Sequence, residues 1–379
     1  MLHYIGIDVS KQDFTAFDGK KVRKFMNNPG LKKFDTYLNK RNIPLNETVI
    51  IFESTGVYSS NLKYYCAEKK IKAFIVNPKK SSNFAKVCGN RSKTDKIDSK
   101  ALYNFKNIID SEKLVVPVID QVAENLNSYL TSYKFVMKFE QAACNHLEAL
   151  NNKKNAPKKL ISSIKKEIKQ LNKLKNNIIP EAIKFIKGDF QLKKDFENIT
   201  SIKSIGEISG VCLLCMFKKY PNTNRAQITA LAGLDPIKKE SGTSVRGKMR
   251  ISKNGFAMIR NILYFPTMNA IQNNPQIKKF YNRLIKNHKL PSVALIASMK
   301  KLLLIAHAVY KNKTKYKTDN ISTSTITTND TLKICSNKTD YNINNITSID
   351  TNNIVEIVED ENKFKYEKKM EFCTSNQAM

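Results

Sequence analysis

The sequence predicts an α/β region at the N-terminus followed by a longer all-α region. Three observations support this fold class. Short apolar runs alternate with helical patterns over the first 110 residues. Apolar residues then recur every three or four positions from residue 121 to about 187. From residue 196 to about 316, further helical patterns are punctuated by glycine, as expected of helices joined by tight turns.

The α/β region contains three near-continuous apolar runs that predict strands at residues 4–9, 48–53 and 73–76. Strands without polar alternation suit a sheet that is covered on both faces. Helical patterns occupy residues 30–39, 57–69 and 94–109, and a basic segment follows Pro78. This order predicts a sheet with helices packed against it.

The next region predicts two long antiparallel helices. Six residues of the first follow helical spacing: Leu126, Leu130, Tyr133, Met137, Cys144 and Leu147. After a polar break at residues 151–157, six residues resume it: Ile161, Ile164, Ile168, Leu171, Leu174 and Ile178. Heptad-like spacing with Lys at the outer positions favours a coiled-coil hairpin, and an ordinary helical bundle is the alternative.

The remaining chain divides into a helical domain and a tail. Residues 199–217 predict two helices joined by a tight turn at residues 204–206. From Asp319 to Met379 the sequence is rich in Asn, Thr, Ser and Ile, which predicts a mostly disordered tail. The predicted domains are residues 1–115, 116–190 and 191–318, with the tail at 319–379.

The charge points to a polyanionic partner. The chain has 65 Lys+Arg against 33 Asp+Glu, a net charge of +32, and the tail alone carries −4 (6 Lys, 10 Asp+Glu), so the first 318 residues carry +36. Nucleic acid is the first candidate partner and an anionic membrane surface the second. The apolar stretch at residues 292–310 contains Lys300 and Lys301, so no membrane span is expected. Seven scattered cysteines fit a reducing cytosol.

Four carboxylates suggest a metal site. Asp8 and Glu53 end apolar strands, and Asp95 and Asp98 lie three apart, so they share a helix face. Such hard oxygen ligands suit Mg²⁺ or Mn²⁺. Each acid alone is also explained as a cap or an ion-pair partner. Acids repeated at apolar strand ends are costly without a metal or partner, which favours the metal site.

The motifs around these acids carry a family resemblance. Residues 4–11 (YIGIDVSK), 53–58 (ESTGVY), 76–78 (VNP) and 93–101 (KTDKIDSKA) resemble the N-terminal domain of the DEDD-type insertion-sequence transposases. This is the IS-one-ten family, which includes the Piv-type DNA invertases. The resemblance implies an RNase H-like, RuvC-like fold and a metal-binding tetrad at Asp8, Glu53, Asp95 and Asp98. It places Lys93 beside the tetrad, where we expect a nucleic-acid contact.

The second half resembles the C-terminal domain of the same family over residues 231–236 and 240–264. A Ser/Gly-rich loop there suits phosphate contact through basic residues, with one more on the helix that follows: Arg246, Lys248, Arg250, Lys253 and Arg260. The turn at Gly206 suits a helix-hairpin-helix that binds phosphate through backbone N–H groups, or a simple inter-helix turn. The family usually has glycine where this chain has Ser204.

A hydroxyl within the basic loop can act as a nucleophile on phosphorus. Spacing does not choose among Ser241, Ser244 and Ser252, but the resemblance implies Ser241, in its Ser-Gly pair. Tyr264 is a chemical rival, although its apolar helix face favours packing. Cys212 and Cys215 have metal-site spacing but an apolar setting that predicts buried thiols, and His307 is expected in the core.

The resemblance implies a DNA transposase or recombinase in the cytoplasm of a bacterial or archaeal cell, associated with the nucleoid. It implies a covalent 5′-phosphoserine intermediate, a structured guide RNA, and assembly as a homodimer or tetramer. Three alternatives remain open: a RuvC-like Holliday-junction nuclease, a site-specific DNA invertase, and a basic packaging protein with degenerate motifs.

Overall fold

The computed structural model describes residues 2–27, 30–89, 94–238, 240–241, 245–247 and 249–317, without the side chains of residues 241, 245 and 246. These residues belong to one compact unit, Met1–Thr318. The predicted tail and two predicted nucleic-acid contacts, Lys93 and Lys248, lie outside the described residues.

A five-stranded mixed sheet forms the N-terminal part. Its strands are β1 (His3–Val9), β2 (Asp13–Phe17), β3 (Val22–Met26), β4 (Thr48–Glu53) and β5 (Lys72–Val76). The spatial order is β3-β2-β1-β4-β5. The first three strands pair antiparallel, whereas β1, β4 and β5 are parallel. The three predicted strands are confirmed, and β2 and β3 are additions that the sequence did not predict.

Helices cover both faces of this sheet. They are α1 (Leu31–Lys40), α2 (Ser60–Glu68), α3 (Pro78–Val87) and α4 (Asp95–Asn104). In β4, Ile50 packs with Phe34 and other residues of one cluster, while Ile51 packs with Leu102 of α4 in another. Successive side chains of a strand point to opposite faces, so the apolar run is buried on both sides.

The rest of the described chain is mostly helical. Its helices are α5 (Gln121–Asn151), α6 (Lys158–Lys187), α7 (Phe190–Thr200), α8 (Glu207–Lys219), α9 (Arg225–Leu231), α10 (Ala257–Asn273), α11 (Pro275–Lys286) and α12 (Pro291–Asn312). Four two-residue strands lie between α9 and α10: β6 (Pro236–Ile237), β7 (Glu240–Ser241), β8 (Val245–Arg246) and β9 (Arg250–Ile251). A mostly helical chain with an N-terminal mixed sheet is consistent with the RNase H-like fold that the resemblance implies.

The helices α5 and α6 are the predicted long antiparallel pair. The rings of Tyr129 and Phe185 lie 6.4 Å apart, and Lys175 Nζ lies 2.6 Å from Glu140 Oε2. Positions later in α5 therefore contact positions earlier in α6, so the two helices are antiparallel. The supercoil of a true coiled coil stays a prediction.

The helix α12 is apolar but lies in the core of the helical part. Among the described residues it is the one helix long and apolar enough to cross a membrane, and 44% of its most apolar stretch is buried. Leu302, Leu303 and Ala306 are fully buried and pack in one cluster with Leu213 of α8. Core packing explains its apolar composition.

Candidate active site and nucleic-acid interface

Sheet register sets Asp8 beside Glu53. The strands β1 and β4 pair Gly6 with Ile51 and Ile7 with Phe52, so the next residues are Asp8 and Glu53. Directly opposed residues share a face of the sheet, and neighbouring strands lie about 4.8 Å apart. The two carboxylates are 45 residues apart in the sequence, and they therefore project from one face of the sheet at the ends of adjacent strands.

The helix α4 lies directly on that face. A Cβ atom on Gly6 would come within 2.2 Å of Ser99 O and 2.3 Å of Tyr103 N, so only glycine permits this approach. Tyr103 also packs on Phe17, which is opposite Gly6, with ring centroids 5.0 Å apart. The C-terminal half of α4 is thereby fixed over Gly6 and Phe17.

The first turn of α4 lies near Asp8 and the residues paired with it across β2 and β3. Lys24 Nζ is 3.7 Å from Asp95 Oδ2, and Lys24 is opposite Thr15, which is opposite Asp8. Thr94 caps the helix by accepting a hydrogen bond from Ile97 N at 3.3 Å. The cap and the close packing at Gly6 together fix the orientation of the first turn of α4. This turn bears Asp95 and Asp98 and lies towards the strand ends.

The donor set fits a hard divalent cation, because all four side chains offer carboxylate oxygens. Asp8, Glu53 and Asp98 are half-buried and Asp95 is exposed. In the part of the chain that the structure describes, no three His, Cys, Asp or Glu side chains approach closely enough to share a metal ion. The backbone thus places Asp8 and Glu53 at adjacent strand ends with the first turn of α4 near Asp8, and the joint ligand set stays a prediction.

Lys24 adds a positive charge that the sequence did not single out. Its ammonium lies 3.0 Å from Asp13 Oδ2 as well as near Asp95. The hydrogen bond to Asp13 chiefly raises the pKa of Lys24, and the negative charge of Asp95 adds to it. This basic edge strand beside Asp95 was not recognisable from sequence, because β3 itself was not predicted.

Ser241 lies on a β-hairpin rather than in the open loop that the sequence predicted. The strands β6 and β9 pair antiparallel, and β7 pairs with β8 so that Ser241 is opposite Val245. Ser241 therefore begins the tip of the hairpin. Ser244 lies outside the described residues, and Ser252 lies at the base, where its Oγ donates to Asp235 Oδ1 at 2.5 Å.

Arg260 braces the base of the hairpin. Its guanidinium donates to Ala232 O at 2.8 Å and to Lys253 O at 3.3 Å. Gly233 has φ +65°, and a Cβ there would lie 2.5 Å from Arg260 Nη1. The observed role is structural, whereas the predicted nucleic-acid contact of Arg260 stays a prediction. Arg250 and Lys253 are exposed, as a phosphate contact requires.

One hydrogen bond joins the hairpin base to the sheet region. Lys79 Nζ donates to Asn254 Oδ1 at 3.4 Å. Lys79 follows β5 closely, and Val76 at the end of β5 is opposite Glu53. The hairpin base therefore lies on the side of the sheet where the acidic residues end their strands. Sequence gave no sign of this contact, which joins residues 175 positions apart.

The turn between α7 and α8 holds Gly206 and Ser204. Gly206 is the N-cap of α8, and a Cβ added there would meet nothing within 4 Å. Ser204 adopts φ +95°, a left-handed conformation that favours glycine. Its Oγ atom is buried, with no hydrogen-bond partner in the described chain. Phosphate binding at this turn stays a prediction.

Ser204→Gly is expected to raise the free energy of unfolding by about 1 kcal/mol, because relief of backbone strain and of a buried hydroxyl outweighs the added freedom of the unfolded chain. Urea denaturation followed by circular dichroism measures this. Ser201→Gly is the matched control: its Oγ accepts from Tyr316 N at 2.8 Å, and we expect that change to destabilise. Destabilisation by both changes would contradict the strain at Ser204.

Other candidates take structural places. Cys212 and Cys215 are buried, as predicted, and burial raises the pKa of both thiols, that of Cys215 to about 12. His307 is buried against Phe217, as predicted, and burial lowers its pKa. The predicted packing role of Tyr264 is wrong, because 43% of it is exposed and its ring contacts the exposed Phe265.

Comparison with known proteins agrees with this architecture. Residues 5–150 match the DEDD-type family described as "Transposase", and residues 196–282 match the "Transposase IS116/IS110/IS902 family". Pilin gene-inverting proteins of Moraxella bovis and Moraxella lacunata are each 24% identical over 319 residues, covering 81% of this chain and 95% of the relative.

The sheet, its acidic strand ends and these matches first define the class, a DEDD-type transposase. More narrowly, the chain belongs to the IS110 family of insertion-sequence transposases. It is therefore a DNA-binding, DNA-recombining enzyme.

Proposed function

We propose that this protein cleaves and exchanges DNA strands for transposition with a metal-binding tetrad and a serine nucleophile. Asp8, Glu53, Asp95 and Asp98 hold Mg²⁺ or Mn²⁺, and Ser241 attacks the scissile phosphate. The observation that carries the proposal is the register that sets Asp8 beside Glu53 on the face that α4 covers. A bound divalent ion there stabilises charge on a phosphodiester during displacement.

The hairpin supplies the nucleophile in this proposal. Its paired strands hold Ser241 at the start of the tip, while Arg260 braces its base. Arg250 and Lys253 attract the DNA backbone to the same hairpin, and Arg246 and Lys248 add positive charge from the same stretch of sequence. Gly206 at the start of α8 offers a second backbone contact through helix N–H groups.

The covalent step replaces the phosphodiester bond between nucleotides with one to the serine, which can later be exchanged to rejoin the DNA. The Ser241 hydroxyl oxygen forms a bond to phosphorus and loses its proton, while the bond from phosphorus to the 3′ oxygen breaks. That oxygen takes up a proton and leaves as a 3′-hydroxyl, and the 5′ phosphate remains on the serine. Attack by another 3′-hydroxyl restores a phosphodiester and frees the serine, so no nucleotide cofactor is consumed.

Guide RNA and self-assembly complete the proposal. The charge of +36 over residues 1–318 suits a body that holds a structured RNA as well as DNA. On α5, Phe135 and Phe139 are 66% and 58% exposed and their rings stack at 5.7 Å. Exposed apolar side chains on the long helix pair support a dimer or tetramer interface there.

Site-specific inversion is the second candidate function. It is favoured by the relatives named pilin gene-inverting proteins, which this chain matches over 95% of their length. The same site chemistry serves both functions, which differ in the arrangement of the DNA sites. A RuvC-like nuclease would use water in place of Ser241.

The proposal is tested by the fate of labelled DNA that carries the ends of the element. With Mg²⁺ and the transcribed flanking RNA, we expect a protein–DNA adduct that survives SDS, is removed by protease, and leaves a 3′-hydroxyl that a polymerase extends. Chelation by EDTA should prevent the adduct and added Mn²⁺ should restore it. Free 5′-phosphate ends without an adduct would instead indicate the nuclease.

A further inference from the structure

The loop after Glu53 exposes two apolar side chains at the edge of the candidate active site. Val57 is 83% exposed and Tyr58 is 42% exposed, although both lie within a few residues of an acid of the tetrad. Single exposed apolar residues are common on protein surfaces, but two adjacent ones beside a site that acts on DNA suggest a contact.

Hydrogen bonds hold this loop in one conformation. The Asn27 side chain, only 7% exposed, donates from Nδ2 to Ser10 O at 3.2 Å and to Tyr58 O at 3.3 Å. Ser59, which is buried, donates from Oγ to Gly56 O at 3.1 Å. The apolar side chains are therefore presented on a fixed backbone, which lowers the entropy cost of any contact they make.

The same hydrogen bonds locate the loop beside the acids. Ser10 follows the end of β1, two residues after Asp8, so Asn27 ties the segment after β1 to the segment after β4. Val57 is four residues beyond Glu53, a span of at most about 14 Å. Bases of one strand repeat every 3.4 Å, so the loop reaches a base within about four nucleotides of a phosphate at the acids.

We propose that Val57 and Tyr58 form a wedge that stacks on a DNA base separated from its partner next to the scissile phosphate. This inference rests on the proposed function, which places DNA at the acids. Strand exchange requires local strand separation, and an apolar wedge that covers the freed base favours that state. The Tyr58 ring supplies a stacking face for any base, so the contact acts on DNA shape rather than on sequence.

The test compares affinities for two short fluorescein-labelled DNA duplexes, one fully paired and one with a central run of mismatched bases. Anisotropy is measured in EDTA with the full-length protein, so that no strand is cut. The wild type is expected to bind the mismatched duplex about tenfold more tightly. Tyr58→Ala and Val57→Ser should each bring that ratio close to one, whereas Tyr58→Phe should keep it.

A matched control separates the wedge from a general loss of apolar surface. Val118 is 86% exposed and lies outside the loop, so Val118→Ser should leave the ratio unchanged. An equal affinity of the wild type for both duplexes, or a preference that survives in Tyr58→Ala, would overturn the proposal. So would loss of the preference in Val118→Ser, or a change in oligomeric state as the only effect of the loop variants.

Failure of the wedge proposal and failure of the catalytic proposal give different results. The affinity ratio in EDTA requires neither a metal ion nor Ser241, whereas the proposed function fails through absence of the adduct in Mg²⁺. A Tyr58-dependent preference for an RNA loop over the mismatched DNA would overturn the assignment of the wedge to DNA.

Discussion

Asp8→Asn is expected to slow DNA cleavage on the order of 10²–10³-fold while leaving the fold and the DNA affinity intact. The amide keeps the size of the carboxylate but removes a negative ligand beside Glu53, where the proposed metal stabilises the transition state. Loss of one such electrostatic contact lowers the rate on the order of 10²–10³-fold. Adduct formation over time measures the rate, and thermal unfolding checks the fold.

Asp110→Asn is the matched control for this change. Asp110 is an exposed acid of the same region that forms an ion pair with Lys113, and no role in catalysis is proposed for it. We expect its cleavage rate to equal that of the wild type. A rate for Asp8→Asn within a few-fold of the control would refute the metal-site assignment.

Ser241→Ala is expected to bind DNA like the wild type and to form no covalent adduct. The change removes the attacking oxygen from the start of the hairpin tip and leaves the backbone pairing with Val245 possible. Removal of a catalytic nucleophile lowers the rate by about 10⁴-fold or more. Denaturing gels detect the adduct, and anisotropy measures the affinity.

Two other hydroxyls test the choice of serine. Ser252→Ala loses the bond to Asp235, so it should destabilise the hairpin base by about 1 kcal/mol and still form the adduct. Tyr264→Phe should also form it, although the exposure of Tyr264 makes this residue accessible to DNA. An adduct present in Ser241→Ala but absent in Ser244→Ala or Tyr264→Phe would move the nucleophile to that residue.

Local sequence patterns predicted the elements whose own residues form a continuous apolar run or follow helical spacing. Apolar runs gave β1, β4 and β5, and helical spacing gave the long pair α5 and α6. The strands β2 and β3 escaped because their sequences, DFTAF and VRKFM, contain no continuous apolar run, and Arg23 and Lys24 of β3 are exposed. Their pairing, rather than their composition, makes them strands.

The candidate site was likewise predicted only where local sequence patterns exist. Asp8 and Glu53 were found as acids that end apolar strands, but only the register shows that they are neighbours. The hairpin around Ser241 was missed because two-residue strands have no periodicity to detect. The structural bonds of Arg260 to Ala232 O and of Asn27 to Tyr58 O were missed because their partners are main-chain carbonyls far along the chain, which no local pattern indicates.

The long helix pair is anchored at one end. A helix of 31 residues such as α5 extends about 46 Å at 1.5 Å per residue. The helical core takes Leu126 and Leu130 from α5, and from α6 it takes residues between Ile179 and Ile186. Beyond them the two helices meet through contacts such as Glu140 with Lys175. Less buried apolar surface means a lower free energy of local opening, so we expect the amide hydrogens in the far half of the pair to exchange with solvent before those of the anchored half.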